Sequence, residues 1–585
     1  MARAGDPRVA GAPRGADGAG LAAALAAIAS TFTPEASARK RRLLAALESR
    51  PVTRPGALAR LHETLCFLQA YPDDRDVLAR ADRLLESFAA RTAALAPRAR
   101  RRLHDTGIAG STVEYPFGLP SSRWLAARLG RRADVVWTGG PDAERVAEVL
   151  DLLVTPAERD AFSEGGFTVR RWLEVARAGR RLTDLQVLVE AFDRAPLDVE
   201  LRDWLYESLG FRIRARLDAT VSRTRAKRPG GRPTFQRAAL RRSGVDIVRE
   251  AMRPVAGWRR APPALARDLI ETARIAMVTR SRELHAFSYP NPDDVLVGEL
   301  GRGLRGVLIG LEPAFRLPFE GYYAFLVVKN GVPVGYGGGW CLFETLEFGF
   351  NVFEAFRQGE SAWILGQVLR AYHRIFRMRT VVVDPYQLGA DNLEALRSGA
   401  FYFYHRLGFR PRGREVLRVL SAELAKIARD RRYRSPLPAL RRLAAEEAYL
   451  TLPGGSAAPE RRVRARDLAA LVTHDVARRH GGDRAAATRE AVARVARAVG
   501  ARGWTAWPGV ERAAFRRWAL VAALIPDLDR WPAPDRARLV RLIRAKGGRG
   551  EGPYVRQLLG HARLRRSLEA LVHPPREGAL RPARS

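Results

Sequence analysis

Between residues 322 and 350 the apolar side chains leave the three-and-four spacing of a helix and fall into short, nearly continuous runs broken at Asn330-Gly331. An Asn-Gly pair accepts positive φ at both positions, as the tightest hairpin turns require, so 322–329 and 332–336 are predicted to pair as antiparallel strands. Residues 304–310 read as a strand before them and 343–350 as a fourth after them. There follow a turn, Gln358-Gly359-Glu360-Ser361, and an amphipathic helix carrying Ala362, Leu365, Val368, Leu369 and Tyr372. A buried-type strand over 380–383 and a helix ending in Leu407-Gly408-Phe409 complete the series. This order predicts a mixed α/β unit. It also leaves the first N–H groups of the helix at Ser361 unpaired at its positive end, where a phosphate group binds.

Three stretches match a known pattern. Ala324 to Gly335 forms a hairpin with glycine at its turn, and Phe356-Arg357-Gln358-Gly359-Glu360-Ser361-Ala362 sits where a diphosphate-binding loop of the form Gln/Arg-x-x-Gly-x-Gly/Ala is expected. Ala400, Tyr404, Gly408 and Phe409 fit Ala-x-x-x-Tyr-x-x-x-Gly-Phe, one strand and one helix further on. In these stretches the chain resembles the GNAT superfamily of N-acetyltransferases, over roughly residues 263–411. The loop departs from the family in having Phe356 for Gln or Arg and Ser361 for Gly or Ala, although a Ser there is small and could cap the helix. Arg397 stands in place of a common Asn, with Asn392 nearby.

The resemblance implies transfer of an acyl group from acetyl-CoA, another acyl-CoA or an acyl carrier protein to an amine, without a covalent enzyme intermediate. It assigns Gln358, Gly359, Glu360, Ser361, Ala362 and Asn392 to the donor, and makes Tyr404 the acid that protonates the departing thiolate. Glu347, on the fourth strand with Glu344, is the chosen general base, with Asp384 a further candidate beside the acceptor. The competing reading of Tyr404 is ring packing against Phe401 and Phe409. His373 and His405 read as surface or packing residues. No spacing of His, Cys or carboxylates suggests a metal site.

The rest of the chain divides around this block. Residues 1–32, rich in Gly, Ala and Arg, read as a flexible tail, with 21–30 a short helix or loose chain rather than an export signal. Residues 33–211 read as mainly helical: Thr33 caps a helix opened by Pro34, and Leu58, Leu61, Leu65 and Leu68 share a face. Residues 212–262 form an exposed basic connector, 263–435 the GNAT-like domain, 436–460 a linker and 461–585 a helical C-terminal domain. In that last domain Ala485, Val492, Val495 and Val499 make one face and Phe515, Trp518, Val521, Ala522 and Ile525 another.

Composition adds a second reading. The chain holds 100 Lys plus Arg against 63 Asp plus Glu in 585 residues, a net charge of +37, with Lys only at positions 40, 227, 329, 426 and 546. Coding bias explains Arg in place of Lys but not the excess over acids, so the charge favours an acidic partner: nucleic acid, an acidic carrier protein or an anionic surface. The alternative function is therefore a catalytically silent GNAT-like module that engages nucleic acid through the connector and the stripe Arg538, Arg541, Arg544. Cys66 and Cys341 lie too far apart in sequence for a disulfide framework, which together with the lack of a long apolar run predicts a cytoplasmic protein without a transmembrane segment.

Overall fold

The computed structural model describes residues 17–139, 141–163, 167–224, 231–254, 257–357 and 359–574. Four helices open it: α1 (Gly18–Ile28), α2 (Pro34–Ser49), α3 (Pro55–Ala70) and α4 (Arg75–Glu86). Their starts are set by short polar caps: Asp17 accepts from Gly20 N, Thr33 from Ala36 N and Asp74 from Val77 N. The stretch read as a tail is thus helical from Gly18, and Leu21, Ala22, Leu25 and Ile28 are buried against α2 and α3. Its low-complexity composition hid a face, since Ala fills the positions between the buried leucines.

A small antiparallel sheet follows, in the order β1 (Thr112–Tyr115), β3 (Ile213–Arg216), β2 (Ala133–Val135), with its own apolar core. The main sheet has eight strands: β4 (Arg259–Arg260), β5 (Pro290–Gly301), β6 (Leu304–Leu311), β7 (Gly321–Lys329), β8 (Val332–Leu342), β9 (Thr345–Val352), β10 (Thr380–Val383) and β11 (Ala448–Thr451). They lie side by side in the order β11-β10-β9-β8-β7-β6-β5-β4, and every pair is antiparallel except β9 with β10. The β7–β8 turn has φ of 48° at Asn330 and 84° at Gly331, so glycine is needed at the second position. Asn330 Nδ2 also donates to Ala70 O and Thr234 O at 2.9 Å, which ties the turn to the end of α3.

The architecture is mixed α/β, with helices at both ends of the chain around a mixed sheet. Two segments differ from the sequence reading. Residues 436–460, expected as a linker, contain the helix Leu437–Leu443 and the edge strand β11, whose Tyr449 pairs with Val382. Residues 212–262, expected as an exposed connector, contribute β3 to the small sheet and a helix, Ile247–Met252, that packs on the helix Ser361–Phe376. Glu344 lies in the β8–β9 turn rather than on a strand and pairs with Arg565. In the C-terminal helices Val492, Val495 and Val499 are buried as expected but Ala485 is exposed.

One contiguous apolar core runs from Leu21 through the sheet to Leu568. Among the described residues no helix is long and apolar enough to cross a membrane. Leu25 is 0% exposed, so Leu25→Ala should lower the stability of the full chain by about 2–5 kcal/mol, read as a drop in Tm. A melting curve unchanged from wild type would return α1 to the status of a tail.

Candidate functional site

The departure of β10 from β9 creates the largest opening described. The two strands pair only over Thr345–Thr380, Leu346–Val381 and Glu347–Val382, whereas β9 runs on beside β8 to Val352. Beyond Glu347 the far edge of β9 therefore has no strand partner. The helices Leu393–Ser398 and Ala400–Arg406 stand at the gap, and the helix Ser361–Phe376, which connects the parallel pair, begins beside it.

This cleft has a volume of about 770 Å³, within the ordinary range for small-molecule sites. Gly359, Ser361, Ala362, Asn392 and Tyr404, all expected at the donor site, line it together with Phe350 and Arg357. Gln358 lies outside the described residues. Glu360 does not line the cleft: it is 0% exposed, and its carboxylate is held by Arg302 at 3.0 Å with Lys329 at 3.8 Å.

No side chain caps the helix Ser361–Phe376. Its first internal bond runs from Ile364 N to Glu360 O at 2.9 Å, so the Ser361, Ala362 and Trp363 amides have no acceptor within the helix. Ser361, expected as a cap, is instead the first helical residue, and its hydroxyl donates to Arg357 O at 3.3 Å. Among the described residues no acceptor meets these amides, and they and the helix dipole suit an anion.

Tyr404 is packed in the way the competing reading expected, with Phe403 in the place of Phe401. Its ring packs edge-on against Phe403 and Phe409, each at 5.3 Å, and its buried hydroxyl lies near the backbone N–H of Phe350 on β9. Burial pushes the phenol up from its ordinary value, so it stays protonated at neutral pH. Asn392 caps the helix Leu393–Ser398 by accepting from Ala395 N at 3.0 Å. Asp384 likewise caps Pro385–Leu388, accepting from Tyr386 N at 2.8 Å, which gives it a structural task. His373 meets Met378 O at 2.8 Å and His405 stacks on Phe401, both in packing positions.

Glu347 sits across the sheet from the cleft. Phe348, its neighbour on β9, turns to the helix Ser361–Phe376, where its ring meets Tyr372 at 5.9 Å, so Glu347 faces the other side. There Arg462 binds it at 3.0 Å and also grips Glu447 at 2.7 Å. Burial pushes the Glu347 carboxyl up, with Arg462 opposing and Asp384 and Glu447 adding to the rise.

Sequence reasoning missed two contributors. Arg242, Ser243, Gly244 and Val245, from the end of the connector, form one wall of the cleft, and nothing in their spacing announces it. Glu320, just before β7, is pushed up to about 7 by burial first and by the charge of Glu347 second. The connector's charge is also partly internal: Arg212 and Arg214 bind Glu114 and Arg223 binds Glu63. Arg225, Lys227 and Arg228 lie outside the described residues. In the C-terminal stripe Arg544 pairs with Glu511, whereas Arg538 and Arg541 are exposed. No three His, Cys, Asp or Glu side chains gather as a metal ion would need among the described residues.

No family model matches the chain, and neither a curated protein nor a solved structure does.

The raised Glu320 carboxyl gives a signed pH effect. Its folded value of about 7 exceeds the ordinary 4.5, so its stabilising contribution is complete below 4.5 and is lost as pH rises through about 7. Glu320→Gln removes that titration, and its Tm should gain on wild type between pH 5 and pH 8. Parallel melting curves across that interval would mean that Glu320 ionises as it does in water.

Proposed function

We propose that the chain is an acyltransferase that moves an acyl group from acyl-CoA to an amine. The observation that carries this reading is the meeting, in one cleft, of a strand edge without a partner, an uncapped helix start after Gly359 and the protonated hydroxyl of Tyr404. The open amides of Ser361, Ala362 and Trp363 suit a diphosphate. The edge of β9 from Phe348 to Val352 offers backbone groups to an extended amide-bearing arm, and such an arm would lead from the diphosphate toward Tyr404.

In this reading the amine attacks the thioester carbonyl and the C–S bond breaks. Tyr404 gives its proton to the leaving sulfur, and the proton lost by the amine passes to a carboxylate on the acceptor side. The base expected at Glu347 faces the acceptor side, across β9 from the donor cleft, and takes the proton through water, with Glu320 beside it as the proton's neighbour. Arg462 would keep Glu347 ionised and ready to accept. The chain's contribution is proximity and proton handling, with no covalent intermediate.

A cleft that holds the donor must bind CoA itself. Calorimetry of the full chain with CoA and acetyl-CoA should show binding at micromolar to millimolar ligand, and Gly359→Trp should abolish it. Glycine is required there because even a Cβ would lie 2.9 Å from Phe356 O and 3.1 Å from Tyr71 Oη. Absence of CoA binding by the wild type at millimolar ligand would end the reading. A separate expectation concerns Tyr404→Phe: it should lower acyl transfer to a panel of amines by about 10²-fold while the donor's Kd stays unchanged. Equal turnover with a markedly lower Tm would give the hydroxyl a purely structural hydrogen bond to Phe350.

A further inference from the structure

A glutamate at the start of a helix ordinarily turns its carboxylate toward the free amides of the first turn. At a loop that receives a diphosphate such a side chain would compete with the ligand. Glu360 does the reverse. Its side chain is 0% exposed, and Oε1 is ion-paired with Arg302 at 3.0 Å and accepts from the backbone N–H of Arg241 at 3.1 Å. Oε2 lies 3.8 Å from Lys329 Nζ and has no hydrogen-bond partner. Lys329, 1% exposed, donates to Arg302 O at 2.6 Å, so both cations are fixed to each other as well as to the carboxylate.

Two cations against one carboxylate leave a positive balance directly below the helix start. The loop keeps its attraction for an anion although one of its own residues is acidic. A helix from the other end of the chain closes the arrangement: the Tyr71 ring lies 4.7 Å from Lys329 Nζ, and its hydroxyl stands against Gly359. Residues 71, 241, 302 and 329, from four separate segments, thus converge on a single loop residue.

A buried ion pair is weak evidence for stability, because desolvation of both charges offsets most of their attraction. Fixing one geometry is what such a cluster can do that a packed apolar pair cannot. We propose that Glu360 is the positioning residue of the donor loop: anchored by Arg302, Lys329 and the Arg241 amide, it aims the first-turn amides of the helix Ser361–Phe376 into the cleft. The proposal rests on the acyl-donor reading of that cleft for its functional meaning, but not for its geometry.

Three variants of the full chain separate anchoring from mere stability. Glu360→Gln keeps the size and removes the charge, Lys329→Met removes one anchor without touching the loop, and the double variant replaces the ion pair by a neutral pair. Expected results are CoA binding about tenfold weaker in each single variant and in the double variant, with the double variant recovering the Tm that the single variants lose. Hydrogen exchange of the amides of residues 364–366, the first to be bonded in this helix, should be faster in all three than in wild type. Wild-type exchange rates at those amides in Glu360→Gln and the double variant overturn the proposal, whether or not CoA binds. An unchanged Kd in the double variant, where wild type binds CoA, overturns it as well. Faster exchange in a protein whose wild type does not bind CoA retains the anchoring and removes the acyl-donor reading instead.

Discussion

The candidate site depends on one topological constraint, the single parallel pair in an otherwise antiparallel sheet. Antiparallel neighbours can be joined by a tight turn, as β7 and β8 are at Asn330. A parallel neighbour requires a crossover, here the helix Ser361–Phe376 between β9 and β10. The crossover puts a helix start beside the carboxyl end of a strand. Because β10 is only four residues long and pairs with β9 no further than Glu347, the remainder of β9 is left as an open edge in the interior of the fold. Helix start and open edge are consequences of the same short strand. Lengthening the β9–β10 pairing would close the cleft as surely as removing the loop.

The charge of the chain has an interior component that its net value conceals. Of the five lysines, Lys40, Lys329 and Lys546 are 0%, 1% and 4% exposed. Lys40 meets Asp73 at 2.8 Å, Lys329 faces Glu360 at 3.8 Å, and Lys546 pairs with Glu551. Each of these three ammonium groups is compact enough to be met by one carboxylate inside the core. Arginine is buried as well: Arg316, 3% exposed, donates to the Lys546 and Gly548 carbonyls, and Arg462 bridges Glu347 and Glu447. The surplus of cations therefore combines a structural share with a surface share, and only the latter can address a partner.

Much of the centre of the fold was legible because its signals are local. The Asn330-Gly331 turn, the strand over residues 380–383 and the helix from Ser361 each announce themselves within a few residues. Strand β5 was not foreseen: its first residues include Pro290, Pro292, Asp293 and Asp294, types depleted in strands, and the buried Asp294 is satisfied by Tyr323 Oη and the Glu551 N–H, each donating to it at 2.8 Å. Helix α1 was hidden by its alanines, and β11 by the turn-like residues around it. What decides the site is less legible still. Glu360 acts through residues far from it in sequence, and Glu347 is bound by Arg462, 115 positions later. A sequence pattern can place a carboxylate on a strand or in a loop, but not say which distant cation will take it.

These long contacts bear on how the flanking helices should be regarded. Had the central sheet been an independent catalytic unit with appended modules, its loop and its acceptor face would be completed from within. Instead the cleft side leans on Tyr71 at the end of α3 and on the connector wall from Arg242 to Val245. The opposite face is covered by Arg462, which lies just ahead of the C-terminal helices. The continuous core from Leu21 to Leu568 follows the same logic, since it joins residues of the flanking helices to those of the sheet. The flanking regions thus complete the surroundings of the cleft, and a fragment cut at the sheet's boundaries would lose Tyr71 and the wall from Arg242 to Val245.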